Sequence, residues 1–251
     1  MSRGSQVGAF FDIDGTLLPC PSLEWRFIAY LASRDILGPA AMFRGTGIAL
    51  RNLLAGKPLA DRSRVYLSGL ATSLVDEWLA DLTAPLPAFD DGLRRLEWHA
   101  AQGHGIALVS GTLAPLARAF AQQIRLSVDI HATELEVTSA ASPDASQPGF
   151  ARWTGRLAGE RPNAAAKAQI VESIAATHEL DLLHSFAYGN SAADAAMLAC
   201  VGFARAVNPS PGLRRIAAER RWIVEYWKSR RVSRSFPLAV YSRASRGGGR
   251  Q

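Results

Sequence analysis

The chain of 251 residues carries 28 Lys+Arg against 22 Asp+Glu, a net charge of +6, with 48% apolar and 20% charged residues. That balance excludes general disorder and is enough to bury a full core, either as one large domain or as a core with an insert. No stretch approaches the roughly eighteen apolar residues of a membrane-spanning helix, and the two cysteines, Cys20 and Cys200, cannot build a disulfide framework.

A soluble cytoplasmic protein is the expectation, because the apolar run at 7–11 is too short for a signal segment and ends on a carboxylate. The charge is unevenly placed. From Arg214 onward stand eleven Lys+Arg and two acids, a net +9, which leaves −3 for the rest. No aromatic platform or binding motif accompanies that basic tail, so specific nucleic-acid binding is not expected.

Residues 7–11 read as a short buried strand followed by a polar break at 12–16. Residues 22–100 then read as four or five helices with no strand among them. Ser22 is placed to cap the first, with Leu23, Phe27, Ile28 and Leu31 at helical spacing and Gly38-Pro39 as its stop. Thr72 is placed to cap another, with Leu74, Trp78, Leu79 and Leu82 on one stripe, ending before Pro85 and Pro87. Asp90 starts a further helix that ends near Gly103. The pattern changes at 105–109, a strand, followed by Ser110-Gly111-Thr112 as a turn and a helix at 113–123. Residues 128–130 and 133–137 read as strands, 139–149 as a flexible loop, and 153–157 as a hairpin arm. Helix 164–178, strand 185–188, helix 192–200, strand 203–207 and helix 211–221 complete the chain. Alternating strands and helices predict an α/β fold with a Rossmann-like, mainly parallel sheet flanked by helices. The helical block is too long for a simple crossover and reads as an inserted cap. The expected division is a core of 1–19 plus 88–227, a helical cap at 20–87 and a basic, flexible tail at 228–251.

Asp12-Ile13-Asp14-Gly15-Thr16 sits at the C-terminal end of the first strand, where open α/β sheets bind ligands. Positions i and i+2 of an extended chain share a side, so two carboxylates would face one small volume. Such a pair suits a divalent cation, with one carboxylate as nucleophile and the other as acid/base. The same residues also make an ordinary turn. Ser110-Gly111-Thr112 follows the second core strand and offers a hydroxyl and backbone N–H groups to a phosphate. Lys167 stands in the first turn of the 164–178 helix, where the helix dipole disfavours a cation, so it calls for an anion or for solvent. Tyr188-Gly189-Asn190-Ser191 leads from a strand to Asp194, which alone reads as an acid at a helix start.

In this order the four motifs resemble those of the haloacid dehalogenase-like hydrolases, closest to the phosphoserine-phosphatase-like subfamily with a helical cap between the first two motifs. The resemblance runs over about residues 7–222. It implies a phosphomonoester hydrolase acting on a small phosphorylated metabolite through an aspartyl-phosphate. By the same resemblance Asp12 is the nucleophile, Asp14 the acid/base, and Ser110, Gly111 and Lys167 the phosphate binders. Mg²⁺ would be held by Asp12, the Asp14 carbonyl and Asn190, with Asp194 supporting its water shell. Two departures stand out. The family usually has Asp at position 190, where an amide brings no charge. Phosphoserine phosphatases carry Glu nine residues after the nucleophile, where this chain has Pro21, and Glu24 is out of register.

The five histidines, His99, His104, His131, His178 and His184, show no metal-ligand spacing. Arg26, Arg44, Arg51, Arg62 and Arg64 are cap cations that either meet an acidic substrate group or line solvated helix faces. Trp25, Phe27 and Tyr30 are either a core stripe or the lining of a substrate pocket. The alternative to an enzyme is a catalytically weakened member of the fold that serves as a binding or regulatory protein, motivated by Asn190.

Overall fold

The structure, a computed structural model, describes residues 6–37, 64–140, 150–159 and 162–229. Its centre is β1 (Gly8–Phe11), four residues buried on both faces. A strand covered on both sides reads as a continuous apolar run, and Gly-Ala-Phe-Phe does so. Strands β2 (Gly105–Leu113) and β3 (Asp129–Thr133) lie to one side of it; β6 (Phe186–Gly189), β7 (Phe203–Val207) and β8 (Ile223–Glu225) lie to the other. All five pairings of this six-stranded sheet are parallel. A separate antiparallel hairpin joins β4 (Leu135–Ala140) to β5 (Phe150–Leu157).

Seven α-helices accompany the strands among the described residues: α1 (Leu23–Ser33), α2 (Leu74–Ala80), α3 (Asp90–Ala101), α4 (Ala114–Ile124), α5 (Ala164–His178), α6 (Ala195–Ala199) and α7 (Pro211–Arg220). The period-2 alternation of β1 divides the core. Phe11 faces one cluster, with Leu108, Tyr188, Leu96 of α3 and Leu116 and Phe120 of α4. Phe10 faces the other, with Val171 and Ile174 of α5, Met197 and Leu198 of α6, and Leu213 of α7. Each fully buried ring contributes about 1.5–3 kcal/mol through the area it removes from water.

The first cluster continues into the inserted block through Phe27, Tyr30, Leu67, Val75 and Trp78. Phe27 packs against Trp78 and Trp153, with ring centroids 5.6 and 6.3 Å away, and so ties α1, α2 and β5 together. Hydrogen bonds from Gly69 N to Trp153 O (2.8 Å) and from Trp153 N to Leu70 O (3.0 Å) fix the hairpin against this block. Phe27 and Tyr30 are therefore core residues, whereas Trp25 is 62% exposed.

Several local expectations change. Residues 110–112 are not a turn: β2 runs on to Leu113, with its register against β3 shifted between Val109 and Leu113. Such a bulge re-aims side chains without ending the strand. Thr72 does not cap α2; Ser73 holds the cap position, and the Thr72 hydroxyl donates to Ala151 O (3.4 Å). Phe89 rather than Asp90 precedes α3, and Asp90 lies in its first turn. Residues 192–194 form a 3₁₀ turn before the shorter α6. Strand β8 was not expected. It is short, and Ile223 and Val224 are exposed, so neither length nor alternation marks it. Ser139 belongs to β4. Residues 141–149, the breaker Gly38-Pro39, the cap cations Arg44, Arg51 and Arg62, and the tail from 230 lie outside the described residues.

Candidate active site

The chain runs from β1 to β2 and β3 on one side, then returns through β6 on the other, so the switch point of the sheet lies between β1 and β6. Ligand crevices in open parallel sheets form at the carboxyl ends of strands at such a point. The Asp12 N–H donates to Tyr188 O (3.0 Å), carrying the β1–β6 ladder one residue beyond the strand. The chain then turns tightly: Gly15 has φ +87, and a Cβ built on it would lie 2.0 Å from Asn190 Nδ2. Glycine at 15 thus lets the first loop close onto Asn190, which follows β6.

Lys167 links the two loops. Asn163 caps α5, its side chain accepting from Ala166 N (3.0 Å). Such a cap contributes about 1 kcal/mol and sets where the helix begins. Lys167, one turn in, is 3% exposed. Its Nζ donates to Asp12 Oδ1 (2.7 Å) and to Asp194 Oδ1 (2.6 Å). Burial works against the ammonium, but Asp12 and Asp194 outweigh it and raise its pKa. Burial pushes the Asp12 carboxyl up to about 7, although Lys167 pulls it down. The Asp194 Oδ2 atom accepts from Asn190 N (3.1 Å), Ser191 N (2.8 Å) and Ser191 Oγ (2.9 Å). Asp194 is thus more than a plain helix-start acid, because it orients both the lysine and the 190–194 loop.

Asp14 is held from two directions. Its Oδ1 accepts from the N–H of Leu23, the first residue of α1 (2.8 Å), and its Oδ2 accepts from the Thr112 hydroxyl. Burial raises its pKa, with these two donors pulling the other way. Both carboxyls are thus shifted upward by burial, and what separates them is position: Asp12 lies against Lys167, and Asp14 between Leu23 N and the Thr112 hydroxyl. Ser110 is buried, and its Oγ accepts from Thr112 N (3.3 Å), so its own O–H proton remains to be donated. The Gly111 carbonyl accepts from Thr133 Oγ1 (2.8 Å).

The structure therefore brings Asp12, Asp14, Ser110, Gly111, Lys167, Asn190 and Asp194 to the ends of β1, β2 and β6 and to the start of α5. Sequence reasoning missed Thr112 as a partner of Asp14; its signal was a second hydroxyl two residues after Ser110. It also missed Glu24, which binds Arg64 and Tyr66 across the inserted block (Arg64 Nη2 to Glu24 Oε2, 2.8 Å) and whose charge reaches Asp14. Two cap cations are thereby engaged within the protein, since Arg26 donates to Pro19 O (3.0 Å) and Pro21 O (2.8 Å). His99 lies buried between His104 and Tyr188. Among the described residues no three His, Cys, Asp or Glu side chains group around one point as metal ligands would. Hard oxygens are nonetheless available along the first loop: the Asp12 Oδ2 atom, touched by Thr16 Oγ1 at 3.3 Å, and the carboxamide of Asn190, which packs against Gly15.

At its switch point the parallel sheet carries a lysine-paired, buried aspartate and a second, partly buried aspartate two residues on. The family model described as haloacid dehalogenase-like hydrolase matches residues 9–199, and the chain belongs to that family. A phosphoserine phosphatase of Mycobacterium tuberculosis is 34% identical over 231 residues, which cover 86% of this chain and 69% of that protein. A probable phosphatase of the same organism is 29% identical over 238 residues, covering 88% and 75%. The crystal structure of a Bordetella pertussis protein of unknown function matches with a TM-score of 0.68 at 26% identity, over 88% of this chain and 99% of that one.

Proposed function

We propose that the chain is a phosphatase that hydrolyses a small phosphomonoester through a phosphoryl group carried on Asp12. The observation that carries this reading is the buried Asp12–Lys167–Asp194 triad beside a second, partly buried carboxyl, Asp14. Asp12 attacks phosphorus, and the ester oxygen leaves with a proton from Asp14. Asp14 then takes a proton from water as that water cleaves the acyl phosphate, which regenerates Asp12 and releases phosphate. Lys167, the Ser110 hydroxyl and the Gly111 backbone hold the phosphoryl oxygens. Phosphoryl transfer is mostly positioning and charge neutralisation, and this arrangement supplies both.

The donor set fits Mg²⁺, which takes oxygen ligands. The Asp12 carboxylate, the Asp14 carbonyl and the Asn190 carboxamide would hold it, and it would neutralise charge on the transferred group. The Asp194 oxygens are committed to Lys167 and the 190–191 backbone, so Asp194 acts through them rather than as a direct ligand. Residues 20–87 act as the substrate-selecting cap on a core of 1–19 and 88–227, with the β4–β5 hairpin braced against it.

The relative named phosphoserine phosphatase supports phosphoserine or a similar small metabolite as substrate. Pro21 and the internal pairing of Glu24 with Arg64 argue for a leaving group recognised differently from an amino acid. A non-catalytic role, suggested by Asn190 alone, finds no support in a triad that is both present and hydrogen-bonded. The test is release of phosphate from p-nitrophenyl phosphate and from a panel of metabolite phosphates, with Mg²⁺ and with EDTA. Mg²⁺-dependent release that Asp12→Asn abolishes is expected, and turnover surviving that substitution would overturn the reading.

A further inference from the structure

We infer that Thr112 is a positioning residue for Asp14: its hydroxyl, opposite the Leu23 N–H, fixes the orientation in which Asp14 delivers a proton to the leaving oxygen. The inference rests on the phosphatase reading above and adds a residue that the motif pattern does not assign.

Asp14 leaves the loop after β1, where Gly15 gives the chain unusual freedom. A carboxyl group there has two soft torsions, yet each of its oxygens accepts from a different element. Oδ1 takes the Leu23 N–H (2.8 Å), an otherwise unpaired donor in the first turn of α1, and Oδ2 takes the Thr112 hydroxyl. One bond would leave the group free to swing about it, whereas two from different directions fix its plane. The Thr112 hydroxyl is buried, so solvent cannot replace it. The bulge in β2 is what aims it: Ser110 and Thr112 are two residues apart on an extended chain and share a side. The Thr112 N–H also donates to Ser110 Oγ (3.3 Å). One residue thereby sets the separation between the hydroxyl assigned to the phosphoryl group and the carboxyl assigned to the leaving oxygen. The hydroxyl proton is spent on Asp14, so Thr112 does not itself contact the phosphoryl group.

A positioning role has a signature that a purely structural one lacks. Proton delivery matters for a poor leaving group and little for a good one. The measurement is kcat/KM, which reports phosphoryl transfer to the enzyme, for an alkyl phosphate and for p-nitrophenyl phosphate with the full chain. Thr112→Val keeps the shape and removes the donor. It is expected to lower the alkyl value about ten- to a hundredfold, a misplacement-sized loss, and the aryl value by less than about threefold. Thr112→Ser, which restores a hydroxyl, returns the alkyl-to-aryl ratio to within about threefold of wild type. Should Thr112→Val fail to fold, as judged by melting, Thr112→Ala carries the same comparison. Equal losses on both substrates, no loss on either, or a ratio that serine does not restore would overturn the inference while Asp12→Asn remains inactive. Activity in Asp12→Asn would instead remove the reading beneath it.

Discussion

Replacing Lys167 with methionine keeps much of the side chain's bulk and removes a buried cation from between two buried carboxylates. The Asp12 and Asp194 oxygens that share its ammonium lie 2.7 and 2.6 Å from Nζ, so they are about 5 Å apart at most. Were both left ionised, they would repel by about 3 kcal/mol at an effective dielectric constant near 20, which favours a proton on one of them. Removing one partner of a buried ion pair generally costs about 3–5 kcal/mol. Lys167→Met is therefore expected to lose about 3–5 kcal/mol of stability at pH 8 in EDTA, along with turnover. The penalty also depends on pH. In the wild type burial places Asp12 at about 7, and without the pull of Lys167 it rises further. Above pH 7 the folded variant then keeps a proton that neither the folded wild type nor the unfolded chain holds. The penalty consequently grows with pH there, by up to about 1.4 kcal/mol per unit. Below pH 7 both folded proteins hold that proton and the penalty levels off. Urea unfolding followed by tryptophan fluorescence at pH 6 and pH 8 measures both effects. A loss below about 1 kcal/mol at pH 8, or one that does not change between the two pH values, would refute the argument.

Asn190→Asp adds a charged oxygen to the proposed Mg²⁺ ligands and should lower the Mg²⁺ concentration for half-maximal turnover on the order of tenfold, the scale on which ligand charge tunes such sites. It should also destabilise the metal-free protein slightly, which a melting curve in EDTA would register. Gly15→Ala forces a Cβ to 2.0 Å from Asn190 Nδ2 at φ +87. It should cost about 2 kcal/mol or more in calorimetry and raise the Mg²⁺ requirement by displacing Asn190. His99 is held neutral by burial, its pKa lowered from 6.5 to about 3. A depressed histidine leaves stability intact above the unfolded value near 6.5 and removes it as pH falls from there toward 3. By pH 5 the loss is about 1–2 kcal/mol after allowance for solvent screening, read as the difference in pH dependence between wild type and His99→Gln. An identical pH dependence for the two proteins would place His99 in a more solvated setting.

The motifs were legible because the sheet puts them in places that sequence can name. Asp12, Ser110 and Asn190 each directly follow an apolar run, and runs buried on both faces stand out in any α/β chain. Helix α5 could be read to the residue because Asn163 caps it and an alanine run follows. What escaped notice is held by long-range pairing. The Thr112–Asp14 bond joins residues 98 positions apart, and the Glu24–Arg64 pair joins residues 40 apart. No local periodicity encodes either. The bulge at 110–112 looked like a turn because Ser-Gly-Thr is turn composition, while pairing with β3 resumes at Leu113 and keeps the segment in the sheet. The hairpin strands were legible, but their attachment to the inserted block through Gly69, Leu70 and Thr72 was not, since backbone hydrogen bonds carry it.

Direct observation of a phosphoryl group on Asp12 tests the central claim best. The protein is mixed with substrate and Mg²⁺, quenched in acid within the turnover time, digested, and analysed by mass spectrometry. The account predicts a phosphorylated peptide spanning Asp12, labile to hydroxylamine and absent from Asp12→Asn. Sustained phosphate release with no label on that peptide, or the same label in Asp12→Asn, would contradict it.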